Sequence, residues 1–354
     1  MSADSPFLLA FCRATKSRVT TEGTRGKGRD VVDAFRAATW WHQLSQSSGL
    51  RSYALWRTLE PAESCTAANL SKANPNKWRG YERGTHLPSQ ALVEAVSAEV
   101  KWATRLFHHP LWDALRLTQP INPQARTLLG RLCPDLAERF DRSRSGRWWP
   151  WWQMSDDTYS RLWSMFSLGA LATCLIHSRA AAEYGDYETA SRFASMGAKK
   201  LVPLGSYFPS FALDPLADYL EAHVLPTTNR TGLPSSLFAG PTMEVRSLAF
   251  ERRLADIERT PPFETRAHLR CQLASAMLMG EHGSRWSQLL RPASVQVANG
   301  RDLGETGSFD ELADERVEVM DLHGFAKSII KGSADPAEAT WGRHVRQRER
   351  LLWP

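Results

Sequence analysis

The sequence predicts a mostly α-helical protein. Apolar residues recur at helical spacing in one stretch after another, whereas alternating apolar runs are nearly absent and Val295 to Val297 is the single strand-like trace. Asn, Ser, Pro and Gly stand where helices begin and end. The 354 residues are 42% hydrophobic and 23% charged, values of a globular chain long enough for one large domain or two. No run of ~20 apolar residues occurs, so no membrane span is expected. An apolar patch from Pro6 to Cys12 follows Asp4 and lacks a small-residue cleavage site, a poor match to a secretory signal. Cys12, Cys65, Cys133, Cys174 and Cys271 are widely spaced and form no C-x-x-C pair, which fits free thiols in the cytoplasm.

Charge divides the chain. Residues 1–150 carry 22 Lys and Arg against 13 Asp and Glu, whereas residues 151–354 carry 22 against 25. Three segments follow: a flexible basic lead over 1–30, a basic helical region over 31–147, and a helical C-terminal domain over 148–354 that ends in a basic helix. A basic half is the electrostatic footprint of a nucleic-acid binder. Solubility and a basic arm give the same balance, since Arg13 to Arg29 alone supplies six positive charges.

Taken in order, the lead contains TEGTRGKGRD, whose glycines and charges predict flexibility. Gly26-Lys27-Gly28 has the wrong spacing for a phosphate loop, and no apolar strand precedes it. Order begins near Asp30, where Val31, Val32, Phe35, Trp40, Trp41 and Leu44 are spaced for an amphipathic helix. A shorter cluster, Tyr53, Leu55, Trp56 and Leu59, stops at Pro61. Asn74-Pro75 then opens a helix, with Asn as cap and Pro where its missing N–H costs nothing. Gly84 closes that helix. Pro88-Ser89 starts the next one, and Leu92, Val93, Val96 and Val100 form its apolar face. Two helices joined by a tight turn are the firm content of this stretch.

Within it, Trp78, Tyr81-Glu82-Arg83-Gly84 and Pro88-Ser89 make the pattern W-x-x-Y-E-R-G-x-x-x-P-S. Over residues 74–100 the chain resembles the second half of a Cro/phage-repressor-like helix-turn-helix, whose recognition helix ends in an aromatic-Glu-x-Gly element. The resemblance implies a helix-turn-helix-like N-terminal region with Trp78 buried against a scaffold helix. It also implies that Asn76, Lys77, Arg79 and Gly80 face the major groove of double-stranded DNA, with Arg83 as a further contact. Asn pairs with adenine, Arg with guanine, and Lys and Arg hold phosphates. Upstream the pattern departs from the family, because residues 66–73 offer Leu70 as their one large apolar side chain. The alternative is a plain helical hairpin with a basic solvent face.

Between residues 101 and 152 the helices come in fragments broken by Pro110, Pro120, Pro123 and Pro134. His108-His109 has no third ligand at helical spacing, so no metal site is expected. Arg142 to Trp152 interleaves cations with four Trp around Pro150. That pattern reads as a hinge that plugs one domain onto the next, or as a single-strand binding surface. Residues 155–204 predict a long helical hairpin. Asp156-Asp157 opens its first helix, Trp163, Phe166, Leu171, Leu175 and Ile176 line it, and the turn is Tyr184-Gly185-Asp186-Tyr187. Ala190, Ala194 and Gly197 follow, and over about residues 168–203 the hairpin resembles one tetratricopeptide repeat. One copy makes no solenoid. Beyond residue 205, five prolines from Pro209 to Pro241 cut the chain into short pieces, and helices are expected over 243–257, 263–280 and 309–330.

No Walker loop, G-x-S-x-G elbow, H-E-x-x-H or G-x-G-x-x-G after a strand is present. The expectation is therefore no enzyme and no cofactor. The first functional reading is a sequence-dependent, bacterial-type DNA-binding regulator with an irregular multi-helix C-terminal domain that oligomerises, binds a protein partner or senses a signal. The second is an all-helical interaction module. Surface geometry separates them: an exposed Asn76, Lys77 and Arg79 with a buried Trp78 favours the first, and burial of those three residues under the segment 148–152 favours the second.

Overall fold

Eighteen residues from Val31 to Ser48 form the helix around which the N-terminal half is built. A computed structural model describes residues 6–23, 28–59, 75–132, 154, 159, 162–163, 165–225 and 242–258. The expected helices at 263–280 and 309–330, the strand trace at 295–297, the segment 148–152 and the basic terminal helix lie outside the described residues. The described chain is mostly α-helical, with strand confined to two residues each at β1 (Ser17–Arg18) and β2 (Arg29–Asp30), paired in parallel.

The central helix, α2 (Val31–Ser48), is capped by Asp30, whose Oδ1 accepts from the Val32 N–H at 2.8 Å, and ends at Gly49 with φ of +67°. Its alanines at 34, 37 and 38 are fully buried beside Phe35 and Trp40. Small side chains on several faces let neighbouring helices close on it from more than one side. Those neighbours include α4 (Pro75–Glu82), α6 (Ala103–Phe107) and α7 (Pro110–Leu115). Helices α3 (Ser52–Leu59) and α5 (Gln90–Glu99) pack on each other, and α3 also packs on α4.

The N-terminal lead is partly folded, contrary to the expected flexible segment. Helix α1 (Pro6–Thr15) buries Leu8, Phe11 and Thr15, one stripe at helical spacing. Phe11 stacks on Phe35 of α2 with ring centroids 4.7 Å apart. The charges that dominate the segment begin only at Arg13, after Leu8 and Phe11.

In the C-terminal half, α9 (Leu168–Glu183) is buried from Leu168 to Ala181 and forms a hairpin with α10 (Tyr187–Leu201). Gly185 turns with φ of +80°, and Asp186 caps α10 through the Thr189 N–H. A Cβ added at Gly197 would sit 3.4 Å from the Cys174 Cβ, the close approach that the small residues permit. The first helix starts later than the sequence suggested. Ser167 caps it through the Ala170 N–H at 3.1 Å, so Trp163 and Phe166 precede it. Buried Lys200 fixes that entry, donating from Nζ to the carbonyls of Leu162, Trp163 and Met165 at 2.6–3.0 Å. The expected start at Asp156-Asp157 lies outside the described residues.

Hydrogen bonds and apolar contacts join the described residues on either side of the expected division near residue 148. Arg179 of α9 donates to the carbonyls of Ala114, Arg116 and Gln119. The Glu183 carboxylate accepts from the N–H groups of Ile121 and Asn122 at 2.7 and 3.0 Å, an anion placed at the start of α8 (Asn122–Gly130). Tyr219, at the end of α11 (Ser210–Tyr219), donates to the Leu115 carbonyl. One apolar cluster runs from Leu8 to Phe250 of α12 (Met243–Glu258). Pro215 does not cut the chain as expected: α11 passes through it, held by buried Ala212, Leu213, Leu216 and Tyr219. No helix among the described residues is long and apolar enough to cross a membrane.

Candidate nucleic-acid interface

Helix α4 begins at Pro75, and the expected cap Asn74 lies outside the described residues. Its end follows the sequence reading closely. Gly84 has φ of +67°, its N–H donates to the Tyr81 carbonyl at 3.0 Å, and the Thr85 N–H donates to the Gly80 carbonyl at 2.8 Å. These are the two hydrogen bonds of a Schellman ending. The chain then reaches Ser89, whose Oγ accepts from the Leu92 N–H to cap α5. Val93 and Val96 are buried, with Leu92 and Val100 packed beside them.

Packing sets the rotation of α4. Trp78 is 1% exposed and stacks on Trp40 of α2, ring centroids 6.3 Å apart. Tyr81 meets both Trp78 and Trp40 edge-on at 5.8 and 6.3 Å. Phe107 also meets Trp40 edge-on at 5.9 Å. Trp40 Nε1 donates to the Ala103 carbonyl, so the polar handle of the central ring is satisfied. With Trp78 and Tyr81 turned inwards, the opposite side of the helix faces solvent. Asn76, Arg79 and Arg83 are exposed there, and Lys77 is exposed on the flank. Asn76, Arg79 and Arg83 follow one stripe at i, i+3 and i+7, and Lys77 lies about 100° round the helix from Asn76.

The charge on that face is of one sign. The carboxylate of α4, Glu82, is turned aside and accepts from Ser52 Oγ of α3 at 2.8 Å. Among the described residues the ion pairs join Asp33 to Arg36 and Arg116, and Asp113 to Arg131. None engages Lys77, Arg79 or Arg83.

Gly80 departs from the expectation, which placed it on the groove-facing side. It is buried under the turn that follows: a Cβ there would lie 2.2 Å from His86 Nδ1. It lets residues 84–86 fold back on the helix and is a packing residue. The scaffold helix that the family resemblance calls for at 66–73 lies outside the described residues. The wall that Trp78 meets among the described residues is α2.

The two glycines make different demands. Gly84 is left-handed, and a Cβ would meet the Ala34 carbonyl oxygen, a backbone atom, at 2.8 Å. Gly84→Ala is expected to cost about 2–4 kcal/mol, from strained φ and overpacking together. Gly80→Ala meets the side chain of exposed His86, which can swing away, and is expected to cost under about 1.5 kcal/mol. Urea unfolding midpoints at unchanged slope measure both.

Sequence reading missed Arg29. Its Nη2 donates to the carbonyls of Thr15 and Gly84, tying the lead to the end of α4. Burial pulls its pKa below the ordinary arginine value, with Asp33 opposing. Only the cluster of cations in the lead could have signalled it. His108 and His109 do not join a metal centre. His109 caps α7, its Nδ1 accepting from the Leu111 N–H, and His108 lies edge-on to Phe107. Among the described residues no group of three or more His, Cys, Asp or Glu could hold a metal ion. No family model matches the chain, and neither a curated protein nor a solved structure matches it.

Proposed function

We propose that this chain is a cytoplasmic, sequence-dependent DNA-binding regulator that lays the exposed face of α4 against duplex DNA, with the C-terminal helices serving oligomerisation or sensing. The observation that carries this reading is the face itself. It presents Asn76, Arg79 and Arg83 along one stripe, with exposed Lys77 on its flank, on a helix whose rotation is fixed by buried Trp78 and Tyr81, and its one carboxylate is engaged by Ser52. Lys77 and Arg83 serve as phosphate contacts, and Asn76 and Arg79 as base readers.

The test is a gel-shift titration of random-sequence duplex at low salt, repeated as salt rises. Binding is expected to weaken steeply, each cation at a phosphate adding about 0.9 to the slope of log affinity on log salt. Lys77→Ala is expected to weaken all sequences alike, whereas Arg79→Ala costs about 1–3 kcal/mol on a selected site and less elsewhere. The double variant is expected to fold normally and lose binding. An absence of retardation at micromolar protein sinks the proposal. It leaves the all-helical interaction module, for which the half-exposed Tyr184 and Tyr187 at the tip of the α9–α10 hairpin offer a contact surface.

A further inference from the structure

Arg29 brings together two helix ends that are distant in sequence. The Thr15 and Gly84 carbonyls accept from the same nitrogen, Nη2. Two oxygens that share one donor lie within a few ångströms of each other, so the C-terminal ends of α1 and α4 meet at this guanidinium. Lys16 follows Thr15, and Arg83 precedes Gly84. Both side chains are exposed, as is Arg13 one turn back in α1. Among the described residues no ion pair engages Arg13, Lys16 or Arg83.

Lys16 carries a second signal. It is the one non-glycine residue with positive φ among the described residues, at +53°. It occupies the position just past a helix end that glycine fills at least cost, since a side chain in the left-handed region crowds its own backbone. The turn itself would be served as well or better by glycine. What lysine adds there is an exposed cation one residue from the bridged Thr15 carbonyl, and strain kept at a surface position points to a role outside the fold.

We propose that Arg13 and Lys16 form a second phosphate clamp, continuous with the basic face of α4 through Arg83, so that a DNA backbone running along α4 passes onto the C-terminal end of α1. This rests on the reading of α4 as the DNA-contacting helix. The clamp is blind to sequence, because ammonium and guanidinium groups at phosphates carry no base information. Arg29 is its positioning residue, holding the two helix ends together from a partly buried site.

The experiment is fluorescence anisotropy with a labelled random-sequence duplex over a range of salt, on wild type, Lys16→Gly, Lys16→Arg and the Lys77→Ala, Arg79→Ala double variant. Lys16→Gly suits the backbone it replaces, so its melting temperature is expected at or above that of wild type. Its salt slope is expected to fall by about 0.9, which is roughly eightfold in affinity at ~0.1 M salt. Lys16→Arg is expected to keep both slope and affinity. If Lys16→Gly binds like wild type while the double variant does not bind, the clamp is overturned and the α4 reading stands. An affinity loss with unchanged slope also overturns it, because the lost contact was then not a phosphate. A wild-type protein that fails to bind overturns both.

Discussion

Trp78→Ala is expected to lower the unfolding free energy by about 3–5 kcal/mol, the range for truncating a buried large aromatic. The ring is 1% exposed and packs on both Trp40 and Tyr81, so its removal leaves a hole lined by two aromatic rings. Trp40 cannot collapse into that hole freely, because its Nε1 is held by the Ala103 carbonyl and its ring is also packed by Phe107. A site that relaxes poorly belongs at the upper end of the range. Trp78→Phe keeps one ring in the stack and is expected to cost clearly less. Equilibrium urea unfolding measures both, and a marginally stable protein would lose most of its folded population at ~37 °C in the alanine variant. An alanine variant that melts with wild type would mean that α4 is rotated with Trp78 outwards. The outward face of Asn76, Lys77 and Arg79 would fall with it, so one stability measurement also tests the geometry behind the proposed DNA contact.

What was legible in the sequence was local. The end of α4, the restart at Ser89 and the turn at Gly185-Asp186 all rest on residues whose side chains or backbone freedom act within about five positions. The burial of Trp78 was legible too, because aromatic residues three apart on a short helix must share a face. What was not legible depends on contacts across tens of residues. Arg179 and Glu183 of α9 fasten residues 114–122, and Tyr219 reaches Leu115. Neither link leaves a mark in the intervening composition, so contacts that cross the boundary inferred from charge and tryptophans could not be read. Helix α1 was missed because six cations after Leu8 and Phe11 outweighed a stripe of three buried positions. Gly80 was misplaced because its burial comes from His86, on a turn that folds back over the helix. The candidate face was thus readable in its exposed cations, whereas the Arg29 bridge between the Thr15 and Gly84 carbonyls was not.

Acid is expected to destabilise the protein between about pH 6.5 and 4, before most carboxylates titrate, through histidines buried in their neutral form. His177 lies 1% exposed in α9 with its ring stacked on Phe193 at 5.0 Å, and burial pushes its pKa down to about 3. His109 is pushed down to about 4, by burial first and by Arg131 second. In the unfolded chain both titrate near 6.5. Below that pH the unfolded state therefore binds protons that the folded state refuses, and stability falls as pH falls. Above about pH 7 both states are neutral and the contribution is constant. For His177 the gap between 6.5 and about 3 is worth about 5 kcal/mol in full, of which about 2 kcal/mol has gone by pH ~5. His109 keeps part of its surface in solvent, so its share is smaller. Protonating it also removes the lone pair by which Nδ1 caps α7. Asp30 works in the other direction: burial raises its pKa, so the folded state takes up its proton earlier and recovers some stability at lower pH. Urea midpoints at about pH 7 and 5 for wild type and His177→Leu isolate the main contribution, because leucine keeps the site filled and removes the proton. The variant is expected to lose about 2 kcal/mol less than wild type between those pH values. Equal losses in the two proteins would mean that His177 is protonated, or reached by solvent, in the folded state.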